Sequence, residues 1–360
     1  MWIRLSIRKF SHFTAARPLS SDSGSFNAAD ITFSKFPMLQ QFNFSLQYEL
    51  IPNLLIETSY AGARGVHWVQ RIDLNQEPFA YALQGTNTQA NRRFPFLASS
   101  VGLDTADVSN WYNSFNTRVE KRYSHGLVLL ANYTISHATD SGNSGLSTLS
   151  QQGNTRAMNT YNLRQERGVS PLDLPQKFVL SVDYELPIPK STHAWINQIV
   201  GGWQVNGILT LRSGLPTDVL ANKLPPIFAQ INRPDVIAGQ PSLVDNPGFD
   251  QYFNPAAFAV PPTVTNALGV PVQTFGNAGR MVLRAPGSKN LDASLFKGFR
   301  LTERRRLEFR AEAFNLTNTP TFTLPNSRSA VLTVGNAAFG KLSGSQTVGR
   351  QLQFGLKLVW

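Results

Sequence analysis

Cysteine is absent from the 360 residues, so the chain has neither a disulfide framework nor a thiolate metal site. No run approaches the roughly 18 consecutive apolar residues of a membrane-spanning helix. Charge is also scarce: Asp, Glu, Lys and Arg make up 15% of the chain, against roughly 25% in an average soluble domain. Aromatics, by contrast, reach 11%, with 24 Phe. These features exclude a disulfide-stapled scaffold and a helical membrane protein. They leave a transmembrane β-barrel, whose outward apolar residues are diluted by inward polar ones, and a large secreted β protein.

Chemistry-bearing constellations are missing too. His12, His67, His125, His137 and His193 share no metal-ligand spacing, and His137 with Asp140 is an isolated pair. Glu308, Arg310 and Glu312 fall on one strand face opposite apolar residues, which reads as a charge ladder facing water rather than a glycosidase carboxylate pair. Gly62–Gly65 (GARG) and Gly142–Gly145 (GNSG) lack the Lys, Ser or helix of a phosphate loop or nucleophile elbow. No catalytic residue, cofactor site or metal site is predicted, and the chain does not read as an enzyme. The net charge of +11 comes from dispersed Lys and Arg, with one tight run at Arg304–Arg306 beside a predicted hairpin turn. That pattern suits a wet lumen or lipopolysaccharide phosphates, and no nucleic-acid partner is predicted.

What the chain does have is period-two alternation. In the final segment, Leu352, Phe354, Leu356, Leu358 and Trp360 share one face of an extended strand. Gln351, Gln353, Gly355 and Lys357 share the other, with Val359 the apolar exception. A strand crossing an outer membrane needs about 9–11 residues and an aromatic at the interface, and this segment has both. The same alternation recurs upstream. Phe42–Leu50 and Leu54–Tyr60 form a hairpin around Ile51-Pro52-Asn53, and Phe115–Arg122 and Leu127–Ser136 form one around Tyr123–Gly126. Lys177–Leu186 with Trp203–Arg212, and Asn290–Phe299 with Arg306–Leu316, make two more.

Between the hairpins lie long stretches with no sustained period: Ala63–Tyr112, Ala138–Pro175, Ser213–Lys289 and Thr317–Gly349. Short or medium connections alternate with long ones at every step back from Trp360 to Gln40. Outer-membrane barrels keep short turns on the periplasmic side and long loops outside, whereas a soluble sandwich has no reason to keep its long loops on one edge. The predicted fold is therefore all-β: an antiparallel transmembrane β-barrel, partial, with about nine or ten strands of a large barrel. Residues 1–38 form a poorly patterned N-terminal segment, and 39–360 the barrel domain. Met1–Ser20 carries Arg4, Arg8, Lys9 and Arg17 without an apolar export-signal core, so the sequence is expected to be a fragment of a longer protein. Trp68, Tyr81, Phe94 and Trp111 in the long stretches are candidate ligand contacts, able to stack on a sugar ring; the alternative for them is loop packing or the membrane interface.

Arg310–Asn318 (RAEAFNLTN), followed by Thr319-Pro320-Thr321-Phe322, resembles the penultimate-strand segment of TonB-dependent receptors, particularly the Oar-like branch. Gln41–Leu50, Tyr60–Gly65, Val119–Gly126, Asn132–His137, Gly201–Leu211 and Asn290–Arg300 resemble that branch in the same order. The resemblance implies the C-terminal part of a barrel of about twenty-two strands, a size that holds a plug. It implies energised uptake of a scarce solute such as an oligosaccharide or siderophore, and a bacterial outer-membrane location among lipid and lipopolysaccharide. TonB would act only through a plug region missing from this sequence. Leu352, Phe354, Leu356, Leu358 and Trp360 resemble the terminal signal read by the barrel-assembly machinery. The competing expectation is a secreted β-sandwich that binds carbohydrate or acts as an adhesin.

Overall fold

A computed structural model describes residues 26–29, 35–95, 101–142, 157–187, 199–222, 231–322, 330–342, 344–345 and 347–360. Met1–Ser20, His12, His193 and all of residues 143–156 and 188–198 lie outside them. Nine long strands follow the predicted hairpins: β1 (Met38–Ile51), β2 (Leu54–Asp73), β3 (Val101–Ser124), β4 (Leu127–Asp140), β5 (Gln176–Glu185), β6 (Trp203–Arg212), β7 (Ser288–Arg300), β8 (Arg306–Phe314) and β9 (Gln351–Val359). They make one sheet in simple chain order, each long strand antiparallel to its neighbour. Two short strands join the sheet off this path: Phe26–Ala29 runs parallel to β3, and Gly168–Val169 pairs with β4. A sandwich would need two packed sheets, and the nine strands form one.

Register explains why the alternation matters. Tyr48, Ile56, Val119, Ala131, Leu180, Leu209 and Leu291 stand directly opposite one another across seven strands. One residue along, the row is Gln47, Glu57, Arg118, Asn132, Val179, Thr210 and Asn290, polar except for Val179. A one-residue slip in any pair would put polar groups in the apolar row, so the pattern specifies the register. Among the described residues no second layer covers the apolar side chains of the outermost strands. Phe44, Leu46 and Tyr48 of β1 are each more than 60% exposed, as are Leu352, Phe354 and Leu356 of β9. Such a continuous apolar surface is stable only against another apolar phase.

The short connections sit at one end of the sheet. Pro52-Asn53 joins β1 to β2, and His125-Gly126 joins β3 to β4. Asn53, His125 and Gly126 have positive φ, the geometry that tight hairpin turns demand, and Glu49 Oε1 accepts from the Asn53 N–H at 3.0 Å. Residues 301–305 join β7 to β8 at the same end.

The structure extends the first hairpins beyond their predicted limits. β2 runs to Asp73 and β3 begins at Val101, so both ends of the aperiodic Ala63–Tyr112 stretch are strand. Register shifts between Gly65 and Trp68 and between Trp68 and Gln70, with His67 at φ 60°, reset the alternation and conceal the strand in the sequence. At about 3.3 Å per residue, β2 and β3 are roughly twice the length a membrane crossing requires, so their far ends stand clear of it.

Candidate functional site

The ordinary buried core of the molecule lies at the long-loop end. Val219, Phe253, Ala257, Phe258, Ala278, Leu283, Leu332, Val334 and Phe339 pack together, all from the two stretches that precede β7 and β9. Met158, Leu220 and Ile231 form a second, smaller cluster with Phe275. Residues 213–222 and 231–287 are thus a folded body with short strand pairings, such as Pro216–Thr217 with Leu283–Arg284. At Gly214 the chain passes so close to its own return that a Cβ would lie 1.5 Å from the Ala285 carbonyl oxygen.

Buried ion pairs fasten this body to the end of β4, on the polar face of the sheet, and to the 157–175 connection that follows it. Arg280 donates through Nη1 to Asp140 at the end of β4 and to the Glu166 carbonyl at 2.9 Å. Arg233 grips Glu166 with two hydrogen bonds of 3.0 and 3.1 Å and reaches the Gln165 carbonyl at 2.9 Å. Burial alone would lower the Arg280 pKa, but the charges of Asp140, Asp218 and Glu166 outweigh it and hold the guanidinium above its ordinary value. Arg284 donates to Asp173 at 2.6 Å, while Asp173 also accepts from the Ala138 N–H at 2.6 Å and lies 3.2 Å from His137 Nδ1. His137 and Asp140 do not pair with each other: each takes a different partner. One reason is that successive strand residues alternate faces, so side chains three apart point to opposite sides. On the taller wall, Arg71 and Asp104 make a bidentate pair at 2.7 and 2.8 Å across β2 and β3.

The candidate aromatics are spread over different elements. Trp68 sits at the β2 bulge opposite Val108. Tyr81 is exposed on the short helix Phe79–Gln84, and Phe94 lies under the Arg93 guanidinium with its backbone tied to Asn75. Trp111 shares the apolar face with Phe115 and lines a cavity of about 560 Å³ with Thr139, Asp140, Arg167, Gly168 and Val169. Near the other end of the sheet, Glu308 takes both Arg306 and Arg310 as partners, which is the ladder its alternation suggested. Sequence reasoning did not find Arg233, Arg280, Arg284, Glu166 or Asp173. Their partners lie tens to more than a hundred residues away, and no local spacing marks them.

An exposed apolar face, a polar face fastened to a loop body, and short turns at one end are the anatomy of a sheet that lives in lipid. The sequence from residue 8 to residue 353 matches the family described as outer membrane beta barrel domain. The chain belongs to the outer-membrane β-barrel domain family. The apolar rows of this barrel domain therefore face lipid, the polar rows face the lumen, and it resides in the bacterial outer membrane. No curated protein sequence matches it. Similar solved structures include the outer membrane transporter YddB from Escherichia coli, at 11% identity over 94% of this chain and 34% of that one, TM-score 0.43. The ferric-catecholate import receptor Fiu from E. coli K12 is 12% identical over 94% of this chain and 29% of its own, TM-score 0.41. The FrpB iron transporter from Neisseria meningitidis is 10% identical over 93% and 33%, TM-score 0.41. The barrel domain thus spans 34% or less of the length of these three structures.

Proposed function

We propose that the barrel domain forms part of a TonB-dependent receptor of the Oar-like type, taking up a scarce solute such as an oligosaccharide or siderophore. In this reading residues 39–360 are the C-terminal section of the barrel wall, and 1–38 lead into it. The rest of the receptor supplies further strands, a plug and the TonB-contacting segment. Solute binds among the extracellular loops and passes through the lumen when energy from the inner membrane displaces the plug.

The observation that carries the proposal is the loop body. Its buried core and its Arg280–Asp140 and Arg233–Glu166 pairs give the long-loop end a fixed shape on the polar side of the sheet, where an incoming solute must pass. A barrel that served only as an anchor would not need such a body there. Trp68, Tyr81, Phe94 and Trp111 remain the candidate solute contacts.

The test is growth of the native cell on single limiting iron chelates and oligosaccharides, with the gene intact, deleted or restored, and with TonB active or inactive. Loss of growth on one solute in the deletion, restored by the gene only when TonB is active, is the expected result. Unchanged growth across both solute classes would count against transport.

A further inference from the structure

One lysine stands where the apolar row leaves no place for a charge. Lys297 lies on the lipid-facing side of β7, opposite Trp203 on one neighbouring strand and Phe309 on the other. The residue is 97% covered, since its relative exposure is 3%. Its ammonium lies 5.4 Å from the centre of the Trp203 ring and 5.3 Å from that of Phe299. The Trp203 ring is fixed in turn by an edge-on contact with Phe309 and by donating through Nε1 to the Ile199 carbonyl at 3.1 Å. Beside it, a Cβ on Gly202 would lie 3.9 Å from Lys297 Nζ. Among the described residues no carboxylate or carbonyl accepts from this ammonium, which carries three donors.

The position along the strand says where such a partner would come from. Lys297 is three residues from Arg300, the last residue of β7, so at about 3.3 Å per residue it lies within roughly 10 Å of the short-turn end. From there a change of rotamer carries the ammonium out from between the rings to the headgroup level of the inner leaflet, while the methylenes stay packed on them. The turn that follows carries Arg304 and Arg305, both exposed, and so adds positive charge at the same edge.

We infer that Lys297, Trp203 and Phe299 form a headgroup site for an anionic phospholipid of the periplasmic leaflet, with the Arg304–Arg305 turn contributing to its field. The lipid phosphate accepts from the ammonium, and the acyl chain lies along the Leu295–Phe309 surface. The inference rests on the outer-membrane family assignment and is independent of the transport reading.

The experiment is native mass spectrometry of the full protein released from micelles doped with equal phosphatidylglycerol and phosphatidylcholine. Retained phosphatidylglycerol should exceed phosphatidylcholine. Lys297→Gln should lower its retention roughly fivefold, Lys297→Arg should preserve it, and Arg164→Gln at the loop end should change nothing. Excess inorganic phosphate should not displace the lipid. If Lys297→Gln fails to give a heat-modifiable barrel, the Arg304→Gln/Arg305→Gln double variant decides by the same readout. Equal retention of the two lipids, unchanged retention in the deciding variant, or displacement by inorganic phosphate would overturn the site.

Discussion

Arg280 donates to Asp140 across 140 residues of chain, and both side chains are buried. The pair joins the longest loop to the end of a barrel strand, and it couples the two layers of the molecule. Below it the structure depends on lipid, because the apolar residues of the strands are exposed. Above it the structure depends on a conventional protein core. A buried pair of this kind adds little stability over a well-packed apolar substitute, but breaking it by removing one partner is costly.

Arg280→Met should accordingly strand the Asp140 carboxylate and destabilise the loop body by about 3–5 kcal/mol, while the barrel remains intact. Hydrogen exchange should speed up across residues 213–222 and 231–287, with heat-modifiability unchanged. Asp140→Asn added to Arg280→Met should recover part of the loss. Exchange rates that are the same in the single variant and the wild type would show that the pair does not hold the body down.

Gly214→Ala tests the packing of the same body without altering charge. The new methyl would meet the Ala285 backbone oxygen at 1.5 Å, and backbone cannot swing away as a side-chain tip can. A loss of about 1–3 kcal/mol is expected, seen as faster proteolysis of the 213–222 segment. Wild-type protease resistance would mean that the two segments are not in contact.

The two faces of β9 predict opposite responses to a single charge. Leu356, opposite Phe309 on the lipid side, should tolerate Arg poorly, with a loss of about 2–4 kcal/mol if it lies near the membrane midplane. Gln353, opposite Glu312 on the lumen side, should accept Arg with little change. Urea unfolding from lipid vesicles measures both, and equal losses would contradict the assignment of faces.

The assembly role of the terminal strand remains a proposal with its own test. Trp360→Ala and Phe354→Ala should each lower the amount of heat-modifiable barrel in the outer membrane without lowering synthesis. Wild-type amounts in both variants would remove Leu352, Phe354, Leu356, Leu358 and Trp360 from any signalling part.

Much of this barrel is legible in its sequence because lipid and lumen act on every strand in the same way. Each residue from Phe42 to Leu50 meets one phase or the other, so alternation survives as a direct record of the fold. It fails at Gly65–Gln70, where two register shifts break the count, and β2 and β3 consequently appear shorter than they are. It fails again in the stretches before β7 and β9, where Val219, Phe253 and Leu332 meet through an irregular backbone that imposes no period. The ionic fastenings share that difficulty. Asp140, Glu166, Arg233 and Arg280 are ordinary residues until folding brings them together, and no local spacing in the sequence marks them.

The most direct test of the account uses the absence of cysteine, which leaves a clean background for labelling. Gly248→Cys places a thiol in the loop body at a position with open space around it, and Arg304→Cys places one in the exposed β7–β8 turn. Intact cells would be treated with a maleimide polymer too bulky to cross the outer membrane. The account predicts labelling of Gly248→Cys in intact cells and of Arg304→Cys only after the membrane is permeabilised. Labelling of Arg304→Cys in intact cells, or protection of Gly248→Cys, would contradict a barrel that crosses the outer membrane with its loop body outside.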